Sequence, residues 1–251
     1  MKTVVKSFTI LGMLASVVIY AEGGHHCLER ENPNHFYFGP EFVGLSLNTH
    51  VQDIKVDGTR FFWGLGLGYE YLKPDAVYFG IDILAISSEV DFNASSHDHS
   101  LSWHEADKGF GNLEVRLGLT LAPMDWMVTP FLGTGIYDIY ALDHHNKEGF
   151  KEDLPYVTGG LNSRYAFNCT FELGLNLKVL RTFSAKQTFR YSAGTFTTHN
   201  NTWGGEIGVP FDWHIGCSKK WDIQLEPYFL TLNFSGTQNV YGTRLLFGYR
   251  F

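Results

Sequence analysis

Several stretches of this chain alternate apolar and polar side chains with period two, the repeat of a strand with one apolar face. Phe61, Trp63, Leu65, Leu67, Tyr69 and Tyr71 share one frame, while Arg60, Gly64, Gly66, Gly68 and Glu70 fill the other. Leu113, Val115, Leu117, Leu119 and Leu121 alternate with Asn112, Glu114, Arg116, Gly118 and Thr120. Cys169, Phe171, Leu173, Leu175, Leu177 and Val179 alternate with Asn168, Thr170, Glu172, Gly174, Asn176 and Lys178. The pattern recurs from Trp203 to Ile215, against Glu206, Asp212 and His214, and again from Tyr241 to Phe251, against Arg244 and Arg250. Beyond the N-terminal residues no apolar run approaches the ~20 residues of a spanning helix. The chain is expected to be all-β.

Alternation alone does not say which face is inside, because a soluble barrel turns the same pattern inward. Two details choose the other arrangement. The polar frames keep glycines beside charges of both signs, and Gly64, Gly66 and Gly68 would weaken a solvated strand face but suit a crowded polar interior. The apolar frames end in aromatics, as with Trp63 and Tyr71, Trp203 and Trp213, or Tyr241 and Phe251. That placement is expected of girdles at the two interfaces of a membrane.

The last strand, ending on Phe251 with aromatics at alternate positions before it, resembles the closing strand of bacterial outer-membrane β-barrels. The resemblance, to small barrels of the OmpA/OmpW-like kind, implies a transmembrane antiparallel up-and-down barrel. It also implies membrane lipid and the barrel-assembly machinery, which reads the terminal Phe, as partners. The N-terminus agrees: Lys2 and Lys6 precede an apolar run from Phe8 to Tyr20, and Ala21 precedes Glu22, the order of a cleavable signal. The expected organisation is a signal at 1–21, a periplasmic segment at 22–34 and a barrel at 35–251. Cys27 follows Gly-His-His, which is not a lipoprotein anchor. Loss of Lys2 and Lys6 takes the charge from -7 to 17 minus 26, or -9, which leaves no basic patch for nucleic acid.

The pattern predicts ten strands, at 36–47, 60–72, 77–87, 110–121, 128–142, 156–180, 187–198, 203–215, 223–234 and 240–251, with eight and twelve as alternative counts. An even count puts both termini in the periplasm, with short connections at 73–76, 122–127, 181–186 and 217–220 on that side. Those at 48–59, 89–109, 143–155, 199–202 and 235–239 then face outward. The 156–180 segment is twice the length needed to cross a bilayer, and projection is preferred over a break at Gly159-Gly160 or Asn162-Ser163. An open edge in hydrocarbon leaves backbone groups without partners, so 36–47 must pair with 240–251. Pro40 and Gly44 are expected to mark a bulge there.

The polar frames place Arg60, Glu70, Asp82, Glu114, Arg116, Glu172, Lys178, Glu206, Asp212, His214, Glu226, Arg244 and Arg250 in the lumen. Ten strands enclose little space, so mixed charges there are expected to form a plugged, poorly conducting core, with a narrow charge-lined pore as the alternative. The expected role is structural, adhesive or ligand-binding through the outward loops. No cofactor and no catalysis are expected.

Chemistry-bearing residues collect in those loops. His97, His99, His144 and His145 could hold a divalent metal; solvated loop histidines are the plainer reading. Asp143-His144-His145 contains the Asp-x-His of omptin-like rim proteases, with Asp91 or Asp98 as a further carboxylate. Asp91-Phe92-Asn93 nonetheless lacks that family's adjacent acidic pair. Ser100, Ser102 and His104 are the nearest match to a lipid-acting Ser/His site. Cys169 reads as a small apolar filler on the lipid face, and a disulfide between Cys27 and Cys217 is the periplasmic alternative.

Overall fold

A computed structural model describes residues 32–51, 54–96, 100–123, 125–142, 149–191, 194–215, 220–232 and 236–251. Thirteen strand segments form one antiparallel sheet closed on itself. They are β1 (Asn34–Val51), β2 (Ile54–Tyr71), β3 (Val77–Ser96), β4 (Ser100–Leu119), β5 (Trp126–Leu142), β6 (Gly149–Asn168), β7 (Phe171–Thr182), β8 (Lys186–Tyr191), β9 (Gly194–His199), β10 (Trp203–Gly208), β11 (Phe211–Ile215), β12 (Trp221–Leu232) and β13 (Gly236–Arg250). Because β7 runs on into β8, and β9 into β10 and β11, the segments make the ten staves of a closed barrel.

Closure follows the expected pairing. β1 lies antiparallel to β13, with Tyr37 opposite Gly248 and Val43 opposite Gly242. The backbone N–H of Phe251 donates to the carbonyl of Asn34 at 3.0 Å, so both ends of the barrel chain meet at one rim, called here the terminal rim. The register from Phe38 to Glu41 is continuous across Gly39 and Pro40, so the expected bulge is absent; Pro40 has no N–H to donate, and the ladder simply skips it.

The strand boundaries need correction in the second half. The 156–180 segment is not one projecting strand but two, β6 and β7, joined by a tight turn at Cys169-Thr170. The Asn168 side chain closes that turn by accepting from the backbone N–H of Thr170 at 2.8 Å and from its hydroxyl at 2.6 Å, a local mimic of a backbone turn. Within 181–186 and 199–202, expected to connect strands, only 183–185 and 200–202 leave the strands, as breaks within staves. Across them the N–H of Thr182 donates to the carbonyl of Thr202 at 2.9 Å, and the N–H of Thr202 to the Thr182 hydroxyl at 2.7 Å. The count of ten survives because the same three staves were cut at different places. The outward connections shrink as well: β1 and β2 run to Val51 and from Ile54, and β3 and β4 to Ser96 and from Ser100, so most of the expected loop is projecting hairpin.

Cys169 is half-buried in the turn and disulfide-bonded, which overturns its reading as an apolar filler. Cys27 and Cys217 lie outside the described residues, as do 1–31 and with them the proposed signal.

The apolar frames face outward. Phe61 is 75% and Leu132 74% exposed, with Trp63, Leu65, Leu117 and Leu119 more than half exposed beside them. On β6 the outward apolar residues run from Val157 to Phe167, about 33 Å of strand at ~3.3 Å per residue. At the usual barrel tilt of ~45° this gives a band about 23 Å tall, close to the ~25 Å of a bilayer-facing belt. Aromatic rings edge it at the terminal rim: Trp126 meets Tyr165 at 5.1 Å, Phe171 meets Trp213 at 5.5 Å and Trp221 meets Tyr249 at 4.6 Å between centroids. At the distal border Phe61 packs edge-on against Tyr241, and Arg181 covers the Trp203 ring at 5.2 Å.

Candidate functional site

Inward-facing side chains fill the lumen in two layers of opposite character. The layer nearer the termini is mainly charged, with a small apolar cluster of Leu72, Tyr78, Met127, Phe131 and Ala166 packed beside the charges. Arg116 pairs with Asp82, with Glu70 at 3.5 Å and with Glu114 at 3.6 Å. Arg164 joins Glu70 at 3.6 Å to Asp212, and Lys178 bridges Glu114 at 3.0 Å and Glu206 at 2.7 Å. Arg244 then reaches Glu41 at 3.3 Å, Glu226 at 3.5 Å and Glu206 at 3.6 Å. These contacts form one connected web, to which every stave but that of β5 contributes. Tyrosine hydroxyls complete it: Tyr78 donates to Glu70 at 2.9 Å, Tyr156 to Glu114 at 2.6 Å and Tyr228 to Glu41 at 2.6 Å. Buried charge is tolerated only when paired and hydrogen-bonded in this way.

At the terminal rim two buried histidines close the floor. His35 Nε2 lies 3.1 Å from Asp222, which also accepts from Arg250 at 3.0 Å, and His214 Nε2 lies 2.9 Å from Glu172. The strand glycines make room for this packing. A Cβ on Gly68 would sit 2.2 Å from the Tyr37 ring, and one on Gly248 2.0 Å from Asp222, which is why the polar frames alternate charges with glycine.

Beyond the charged web the inward frame turns apolar. Val43, Leu45, Phe62, Leu84, Ile86, Phe110, Ile139, Leu154, Leu180, Leu230, Leu232 and Val240 form one buried cluster with Tyr137, Tyr156 and Tyr228. They come from β1 to β7, β12 and β13. A cavity of about 80 Å³ lies within the charged layer, lined by residues such as Glu41, Glu114, Arg116 and Arg244. Above the apolar layer, Glu152 accepts from Gln187 and, at 2.9 and 3.0 Å, from Gln238 across the barrel. Lys151 and Asp153 on either side of it face outward and pair at 2.8 Å, which places this level distal to the belt. There burial pushes the Glu152 carboxyl up to about 7, with the two amide donors working against the shift.

Of the lumen charges expected from sequence, Glu70, Asp82, Glu114, Arg116, Glu172, Lys178, Glu206, Asp212, His214, Glu226, Arg244 and Arg250 face inward as read, and the contacts above join them. The Arg60 side chain lies outside the described part. Sequence reading missed His35, Glu41, Glu152, Arg164 and Asp222, and it missed the apolar layer entirely. His97, His99, Asp143, His144 and His145 lie outside the described residues, as do the side chains of Asp91, Ser100, Ser102 and His104. Among the described residues no group of three or more His, Cys, Asp or Glu could hold a metal.

No family model matches the chain, and no curated protein matches it. Solved structures do. The outer membrane protease OmpT from Escherichia coli superposes with a TM-score of 0.61 at 10% identity, covering 88% of this chain and 97% of that one. The translocator domain of the autotransporter NalP from Neisseria meningitidis gives 0.45 at 8% identity over 98% and 95%. Ail, the attachment invasion locus protein of Yersinia pestis, gives 0.42 at 11% identity over 88% and 100%. At such identities the likeness is one of fold: this is a closed antiparallel barrel of the bacterial outer-membrane type.

Proposed function

We propose that this protein is a non-conducting outer-membrane barrel whose role, structural, adhesive or ligand-binding, is exercised by the hairpins that stand beyond the distal edge of its belt. The observation that carries the reading is the apolar layer across the lumen. A path for ions or small solutes needs a continuous polar channel, and the packed side chains of Leu154, Leu230, Leu232 and Val240 interrupt it. The narrow-porin alternative would need a path through that layer.

The terminal rim, with its tight turns, faces the periplasm in this reading, and the long hairpins face outward, as in other barrels of this kind. No catalytic step is assigned. The omptin-like Asp143 and His145 lie outside the described residues, and a rim hydrolase would require peptidase activity lost on Asp143→Ala and His145→Ala.

Purified protein in planar bilayers tests the closed lumen: silence is expected. Reproducible single-channel steps that disappear on Arg116→Ala would overturn it. Labelling of a Thr197→Cys variant on intact cells with a membrane-impermeant maleimide checks the orientation, since the distal hairpin must react.

A further inference from the structure

The wall of the barrel is uneven at its distal edge. β8 and β9 form a hairpin standing above the break at 200–202, with β8 paired to the distal end of β6 at Gly149 to Asp153. On the other side the described part of β12 runs to Leu232, opposite Gly204, and pairs with no residue of β9. Among the described residues β9 therefore pairs with β8 alone, and its other edge is open. Six residues give about 20 Å of unpaired backbone donors and acceptors. This edge lies beyond the belt, where hydrocarbon would otherwise forbid it.

Natural sheets blunt such edges with lysine, proline or a bulge. β9, Gly-Thr-Phe-Thr-Thr-His, has no lysine or proline, and its register with β8 is unbroken. Its threonines and aromatic are strand-favouring residues. Beside it on the outer face, Lys186 and Arg190 are exposed; Asp153 stands opposite Lys186 on β6 but is paired with Lys151 at 2.8 Å, and among the described residues no ion pair reaches either cation.

We propose that the open edge of β9 is a strand-addition site for an extended segment of an external protein that carries carboxylates at alternate positions. Main-chain bonds to β9 would supply affinity, and the alternating side chains specificity. Outward side chains of an added strand would lie beside Thr195, Thr197 and His199 and about 10 Å from the β8 row that bears Lys186 and Arg190, at ~4.8 Å per strand. Acidic side chains are the ones that reach and complement that row. A second copy of this chain fits less well. Two barrels in one bilayer are related by rotation about the membrane normal, so their β9 strands run the same way and could pair only in parallel, the weaker arrangement. An external segment is free to run antiparallel.

The inference rests on the distal end being the binding surface, and its test is separate from conductance. The probe is an acetylated, amidated peptide alternating valine with glutamate, titrated onto the full-length barrel in micelles. Two forms N-methylated on alternate residues each block one edge of the peptide. Strand addition predicts that one form loses at least tenfold in affinity while the other binds as before. It predicts a similar loss for Lys186→Glu combined with Arg190→Glu, and retention for Lys186→Arg. No binding, or equal binding by both methylated forms, would overturn strand addition, and a silent barrel with either result would still have a closed lumen. Thr197→Cys barrels that cross-link to each other in native membranes and then exclude the peptide would overturn the choice of partner.

Discussion

The two layers inside this barrel solve one problem by opposite means. A lumen too narrow for a water column must be filled, and the layer near the termini fills it with carboxylates and cations tied into a web, while the layer beyond it uses aliphatic and aromatic side chains. The charged layer is specified by pairing: each group has a partner at a fixed bearing, and losing one strands others. The apolar layer is specified by volume, and its members are interchangeable so long as the space is filled. The difference teaches which part depends on filled volume and which part fixes the register. A web reaching nearly every stave is satisfied only when the staves stand in the observed register, whereas aliphatic side chains would accept a neighbouring one.

The contrast can be broken most sharply at Arg116. With Arg116→Met, Glu70 keeps Arg164 and Glu114 keeps Lys178, but Asp82 is left with the Tyr37 hydroxyl alone. Stranding a fully buried charge costs roughly 3–5 kcal/mol; the Asp82 side chain is 30% exposed, so urea unfolding in micelles should show a loss toward the lower end of that range. Adding Asp82→Leu should recover most of it, because two apolar groups can replace a buried pair. A double variant no more stable than the single one would show that pairing is not what the charged layer needs.

Leu154→Ala probes the other layer. Leu154 is 0% exposed, and emptying such a site costs about 2–5 kcal/mol through lost transfer energy and the remaining cavity. No charge change elsewhere should rescue it, while a compensating small-to-large change across the lumen should. If Leu154→Ala also stays silent in bilayers, the seal is shared over the whole cluster; conduction would place it at this residue.

Much of this was legible in the sequence, and the losses have physical causes. Period two placed Glu114, Arg116, Glu172, Lys178 and Arg244 inside because one frame was apolar and the other was not. The apolar layer lies where that contrast vanishes: in Ile83-Leu84-Ala85-Ile86 and Tyr228-Phe229-Leu230 both frames are apolar, so alternation is silent although the run itself was a signal. Glu41 escaped because Pro40 and Gly44 disturb the frame around it, and Glu152 because a charged approach to a strand reads as loop. Arg164 sat in the polar frame of a segment whose break was sought at Gly159 and Asn162. The true break lay at Asn168-Cys169-Thr170, where an Asx turn carries the information.

Where the apolar layer meets the distal hairpins, Glu152 sharpens the comparison by titration. It is a buried carboxylate held by two amides, with its pKa raised from an ordinary 4.5 to about 7. A raised acid pKa means that the folded state holds the proton more tightly than the unfolded one. Its contribution is therefore full below pH ~4.5 and falls as pH rises to ~7. The size is roughly 3 kcal/mol, from the rise from 4.5 to about 7 at ~1.36 kcal/mol per pH unit. Glu152→Gln should remove this slope, and stability profiles that remain parallel between pH 5 and 7 would show that the carboxyl is not protonated in the fold.

The smallest effect belongs to charges of the same kind placed outside. Lys151 pairs with Asp153 at 2.8 Å and Asp138 at 3.5 Å, but its side chain is 46% exposed, and water does most of what the carboxylates do. Lys151→Ala should cost less than about 1 kcal/mol, and less still in high salt. Arg116→Met should be almost indifferent to salt, because its partners are out of reach of the ionic atmosphere. Equal salt sensitivity at the two positions would mean that ions and water enter the lumen, and the closed-barrel reading would fail with it.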